Sequence, residues 1–122
     1  MAGKKAEPKR EARIVEEIIV DAYTDDERAL SWYYYLEHAL RFPFEAECVK
    51  QRSISPLSKG EKIRITALAP EEDCALQILV LGRWQGRSLG VPLAQLKPIG
   101  VDKGTAQAIA DWHYWVSHEN QF

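Results

Sequence analysis

The side chains of this sequence best suited to chemistry are carboxylates. Asp21, Asp25, Asp26 and Glu27 crowd one short stretch, Glu37 follows ten residues after Glu27, and Glu71, Glu72 and Asp73 share one turn. Hard cations such as Ca²⁺ take roughly six to eight oxygen ligands, carboxylates and backbone carbonyls among them. Acidic turns supply both. An EF-hand loop is excluded: counted from Asp21, Asp26 stands where the loop needs glycine, and Trp32 stands where it needs glutamate. The acids also have a plainer use. A run of them suits a solvated face, and Asp25 to Glu27 suit the positive end of a helix dipole. On residue types alone both readings stay open.

Other chemistries lack a signature. The chain has no Gly-rich phosphate loop, no Gly-x-Ser-x-Gly elbow and no Cys-x-x-Cys pair. Neither His38 nor His113 opens a His-Glu-x-x-His run, and His113 and His118 are five apart, a poor spacing for one helical face. The expected protein is therefore not an enzyme. Cys48 and Cys74 lie in apolar segments and read as buried, reduced thiols, which points to the cytoplasm. The aromatic runs Trp32 to Tyr35 and Trp112 to Trp115 could stack bases. They are not interleaved with Lys or Arg, so packing is the better use and nucleic acid is not an expected partner. No apolar stretch approaches the roughly 18 residues of a membrane span.

Charge is unevenly spread. The net value of −2 over 122 residues hides a segment, 14–49, with nine acids against two arginines, whereas 1–13 holds five basic residues against two acids. The carboxylates are thus concentrated where helices are predicted. Ile14, Val15, Ile18, Ile19 and Ala22 repeat at three and four, which predicts a helix over about 10–22. Thr24 followed by Glu27 predicts a capping box and a second helix, ended before Pro43. Strands are expected at about 44–52, 61–68, 74–81 and 87–91, with a hairpin turn at Trp84-Gln85-Gly86. A last helix over about 103–118 carries Ala106, Ile109, Trp112 and Val116 as its inner stripe. Helices followed by strands, without alternation, give an α+β fold. The expectation is two N-terminal helices, a small, strongly bent antiparallel sheet or SH3-like barrel of four to five strands, and a C-terminal helix. Residues 1–12 are expected as a disordered basic tail and 13–122 as one domain.

Several phrases go further than periodicity. Glu17-Ile-Ile-Val-Asp-Ala-Tyr23, Glu27-Arg-Ala29, Trp32-Tyr-Tyr-Tyr-Leu-Glu37, Phe42-Pro-Phe44 and Ala69-Pro-Glu-Glu-Asp-Cys74 resemble the CcbP-type family, small cyanobacterial calcium-binding proteins linked to heterocyst differentiation. Val91-Pro-Leu-Ala-Gln-Leu96 and Asp111-Trp-His-Tyr-Trp-Val116 continue the likeness, in the same order, over about 13–117. The resemblance implies Ca²⁺ binding without EF-hands and a buffering or signalling role. It carries over Asp21, Glu27, Glu37, Glu71, Glu72 and Asp73 as ligand candidates, with Asp25 and Asp26 matching the acidic character of the segment. Where it implies a second acid after Glu37, this chain has His38, which lowers the charge there. The rival reading is a small β-barrel that binds a protein partner without metal, suggested by aromatics expected to be exposed, such as Trp84.

Overall fold

The computed structural model describes residues 6–118. The chain opens with α1 (Pro8–Arg13), which starts inside the stretch expected as tail and runs into a π-helical turn at Ile14–Ile18. The helix predicted over 10–22 is thus two pieces. Widening by one residue per turn lets Ile14 and Ile18 both reach the core, while Val15 stays more than half exposed. Asp21, at φ +59°, turns the chain sharply. Next comes α2 (Asp25–Ala39), capped as the sequence predicts: Glu27 N–H donates to Thr24 Oγ1 at 3.1 Å, and Thr24 N–H donates to Glu27 Oε1 at 3.0 Å. This local exchange satisfies backbone donors that a helix start leaves open.

Five strands follow: β1 (Phe44–Cys48), β2 (Lys62–Leu68), β3 (Leu79–Trp84), β4 (Arg87–Pro92) and β5 (Leu96–Ile99). They form one antiparallel sheet in the order β4-β3-β2-β1-β5. The five antiparallel strands fall within the expected four to five, and the expected hairpin at Trp84-Gln85-Gly86 joins β3 to β4. The sheet does not close into a barrel: β4 and β5 remain its two open edges. The β3–β4 hairpin turns on Gln85 at φ +51° and Gly86 at φ +76°, the paired left-handed conformations a two-residue loop requires. Strand β3 starts five residues later than its apolar run suggests, because Glu71–Cys74 forms a 3-10 turn and Leu76 is 79% exposed. Gly82 is needed for packing, since a Cβ there would lie 2.6 Å from Ile63 Cδ1.

The last helix, α3 (Lys103–Ser117), is capped by Asp102, whose carboxylate accepts from Thr105 N–H at 2.6 Å. Its buried stripe is Thr105, Ala108, Ile109, Asp111, Trp112 and Tyr114, rotated from the predicted one; Ala106 and Val116 are only half-buried. Helices α2 and α3 meet through Trp32 and Trp112, whose rings cross edge to face at 5.1 Å. Such aromatic pairs add about 0.5–1.5 kcal/mol beyond area burial. The tryptophan-rich runs are therefore core, as expected. Trp84, expected to be exposed, is partly buried against the same core.

Candidate functional site

Helical periodicity places Asp26, Leu30, Tyr33, Tyr34 and Glu37 along one side of α2, at spacings of three and four. The 3-10 turn packs against that side. Tyr33 OH donates to the Ala69 carbonyl at 2.7 Å, just before the turn, and Tyr34 OH donates to Glu71 Oε1 at 2.6 Å. These bonds fasten the acidic turn to the acidic helix. A cleft of about 230 Å³ lies between them, lined by Asp26, Leu30, Tyr33, Glu71, Glu72 and Cys74.

The phenols of the cleft feel these acids. The Tyr33 phenol is pushed above its usual range, first by burial and then by the charges of Cys74, Glu37, Glu71 and Glu72. Tyr34 is pushed up as well, first by its hydrogen bond to Glu71 and then by the charges of Glu71 and Glu37. Burial raises the Cys74 thiol. Four of the eight predicted acids, Asp26, Glu37, Glu71 and Glu72, therefore gather around two tyrosines. Asp26 and Glu37 are eleven residues apart on one helix, about 16 Å along its axis at 1.5 Å per residue. Ca²⁺–oxygen distances are about 2.3–2.6 Å, so these two acids cannot share an ion. The acidic turn is what each can share.

The remaining acids are placed differently. Glu27 Oε1 accepts from the backbone N–H groups of Tyr23 at 2.9 Å and Thr24 at 3.0 Å. These two bonds hold its carboxyl below the usual range and commit it to the helix cap. Asp25 pairs with Arg28 one turn on. Asp21 accepts from Tyr23 OH at 3.4 Å at the turn before α2. Asp73 is exposed, and its N–H donates to the Pro70 carbonyl within the 3-10 turn.

The donor set is oxygen-rich and fits a hard cation in kind. Among the described residues, however, no three His, Cys, Asp or Glu side chains stand close enough to hold an ion as placed. All eight acids are exposed, although Asp25, Glu27 and Glu71 are held by the contacts above. The sequence reading missed Tyr33 and Tyr34, whose hydroxyls anchor the turn. The available signal was their spacing of four and three from Glu37.

Among the described residues, no helix is long and apolar enough to cross a membrane. No curated protein matches the sequence. Two solved structures do, each at 35% identity with 100% of both chains covered: the crystal structure of Anabaena CcbP, with a TM-score of 0.86, and a calcium binding protein in the calcium-binding form, with a TM-score of 0.85. The profile of the CcbP family, described as calcium binding, matches residues 12–116. The chain therefore belongs to the CcbP family of calcium-binding proteins.

Proposed function

We propose that this chain binds Ca²⁺ at the acidic cleft between α2 and the Glu71–Cys74 turn, as a buffer or signalling protein rather than a catalyst. The observation that carries the reading is the attachment of the turn to α2, which brings Glu71 and Glu72 beside Asp26 at one end and Glu71 towards Glu37 at the other. Glu71 and Glu72 would hold the ion with Asp26, and Glu37 would serve a second, weaker position. When bound, the ion supplies two positive charges that offset the mutual repulsion of these carboxylates. The Tyr34 hydroxyl keeps Glu71 facing the helix, and exposed acids such as Asp73 are free to complete the ligand set along with water. An open site of this kind binds weakly, at about 10⁻⁵ to 10⁻³ M. Both cysteines are free and buried, which suits a reducing cytoplasm.

Calorimetric titration of the metal-free protein, with Mg²⁺ as the control ion, tests the reading. The expected result is saturable heat for Ca²⁺ and a raised melting temperature, by mass action on the folded state. Both should be strongly reduced in the Glu71→Gln, Glu72→Gln double variant. No heat and no thermal shift at millimolar Ca²⁺ would reject the proposal.

A further inference from the structure

A second concavity lies away from the acidic cleft. It is a groove of about 820 Å³. Its floor follows α3 from Ala106 to Ser117 and the C-cap His118, a span of about 18 Å at 1.5 Å per residue. That is the length of about three turns of a second helix. Ala106 and Ala110 are half-buried and one turn apart, with His113 following at the next turn. Small side chains at this spacing let another backbone approach closely. The apolar floor is completed by Val49, which is 36% exposed, and by Ala94 and Pro98.

The rim is basic. Lys50 and Lys97 are both exposed, and Arg52 is half-buried with one N–H donating to Gln77 Oε1 at 3.3 Å. Arg10 also lines the groove, paired with Glu7 and the buried Asp111. Among the described residues, Glu7 is the one carboxylate in the lining. A chain with net charge −2 thus presents cations around an apolar depression.

We propose that this groove docks an acidic, amphipathic helical segment of a partner protein. The segment's apolar side would lie on α3, and its carboxylates would face Lys50, Arg52 and Lys97. The length of the floor favours a peptide over a compact ligand, and the charge of the rim selects an acidic one. Rim charges of this kind act mainly on association and salt dependence, while the apolar floor supplies the contact area. The groove shares no lining residue with the acidic cleft, so docking does not compete with metal for the same side chains.

The test uses a fluorescein-labelled 16-residue peptide with leucine every third and fourth position and glutamate elsewhere, and a control with lysine for each glutamate. Fluorescence anisotropy should show the acidic peptide binding the full-length chain, with affinity falling at least tenfold between 50 and 500 mM salt. The Lys50→Glu, Lys97→Glu double variant should lose at least tenfold in affinity while keeping the wild-type melting temperature, since both side chains are exposed. Amide shifts on binding should centre on Val49, Ala106, Ala110 and His113. The proposal is overturned if the acidic peptide does not bind at 1 mM, if the lysine peptide binds as well, or if the shifts map to α2 and the 3-10 turn. Glu71→Gln, Glu72→Gln should leave peptide binding unchanged, which separates this proposal from the calcium site.

Discussion

At the scale of single residues, the carboxylates of this chain divide by what already holds them. Glu27 is engaged by two backbone N–H groups, whereas Glu71 accepts from a tyrosine hydroxyl. Charge counting gives them equal standing as ligands; geometry does not. Glu27→Gln is expected to leave calcium affinity within about twofold, while Glu71→Gln should weaken it by about tenfold, because affinity follows the number of charged ligands. Parallel calorimetric titrations of the two variants decide it, and equal losses would contradict the division. Thr24→Ala should cost about 1 kcal/mol of stability in denaturant melts, the usual value of an N-cap, with calcium affinity unchanged. The capping box was legible because it is written in four consecutive residues. The Tyr34–Glu71 bond was not, because its partners are 37 residues apart and only the fold joins them.

At the scale of elements, α1 is held by polar contacts in place of burial. None of its six residues is buried. Arg13 donates from Nε and Nη2 to both oxygens of Asp111, at 2.9 and 2.7 Å, and Asp111 is fully buried. Arg10 approaches the same carboxylate at 3.4 Å. The Tyr114 hydroxyl accepts from Glu7 N–H at 3.1 Å and donates to Glu11. Removing one partner of a buried ion pair leaves the other charge uncompensated, at a cost of about 3–5 kcal/mol. Arg13→Met should lie near the lower end of that range, since Arg10 remains. Urea unfolding measures it, and a loss below about 1 kcal/mol would mean that Arg10 alone satisfies Asp111. Nothing local in the sequence announces this strap. Arg10 falls within the stretch expected as tail and Arg13 at the start of the expected domain, and Asp111 lies 98 residues away from Arg13. The π turn was equally hidden, because Ile14, Ile18 and Ile19 fit an ordinary helical stripe. The helices α2 and α3 and the β3–β4 hairpin were legible because periodicity, caps and turn residues agree there. The open sheet was not, since strand lengths alone do not say whether the edges meet.

At the scale of the whole molecule, His113, Glu27 and Asp102 tie stability to pH in the same direction. Burial holds the His113 imidazole below the usual histidine range, despite its contact with the Leu93 carbonyl. The unfolded chain therefore takes up a proton at His113 first as pH falls below about 6.5. Stability from this residue is full above that value and is lost as pH falls towards the folded pKa. Glu27 and Asp102, also depressed, act in the same sense further down: the contribution of Glu27 is present above about 4.3, the unfolded glutamate value, and fades as pH drops through its folded one. Thermal melts from pH 8 to 3 should be level at first, decline below about 6.5, and decline again below about 4.3. His113→Gln should flatten the first decline; an unchanged profile in that variant would assign it elsewhere.

The crossing of Trp32 with Trp112 carries a practical corollary. Trp32 directly precedes Tyr33 and Tyr34 on α2, so one helix holds an indole in the interior and two phenols at the acidic cleft. A tilt of α2 by a few degrees would alter the coupling between the two indoles, and near-ultraviolet circular dichroism reads that coupling without any label. The molecule is in effect fitted with its own optical gauge, able to separate a helix that moves on ligation from side chains that merely swing.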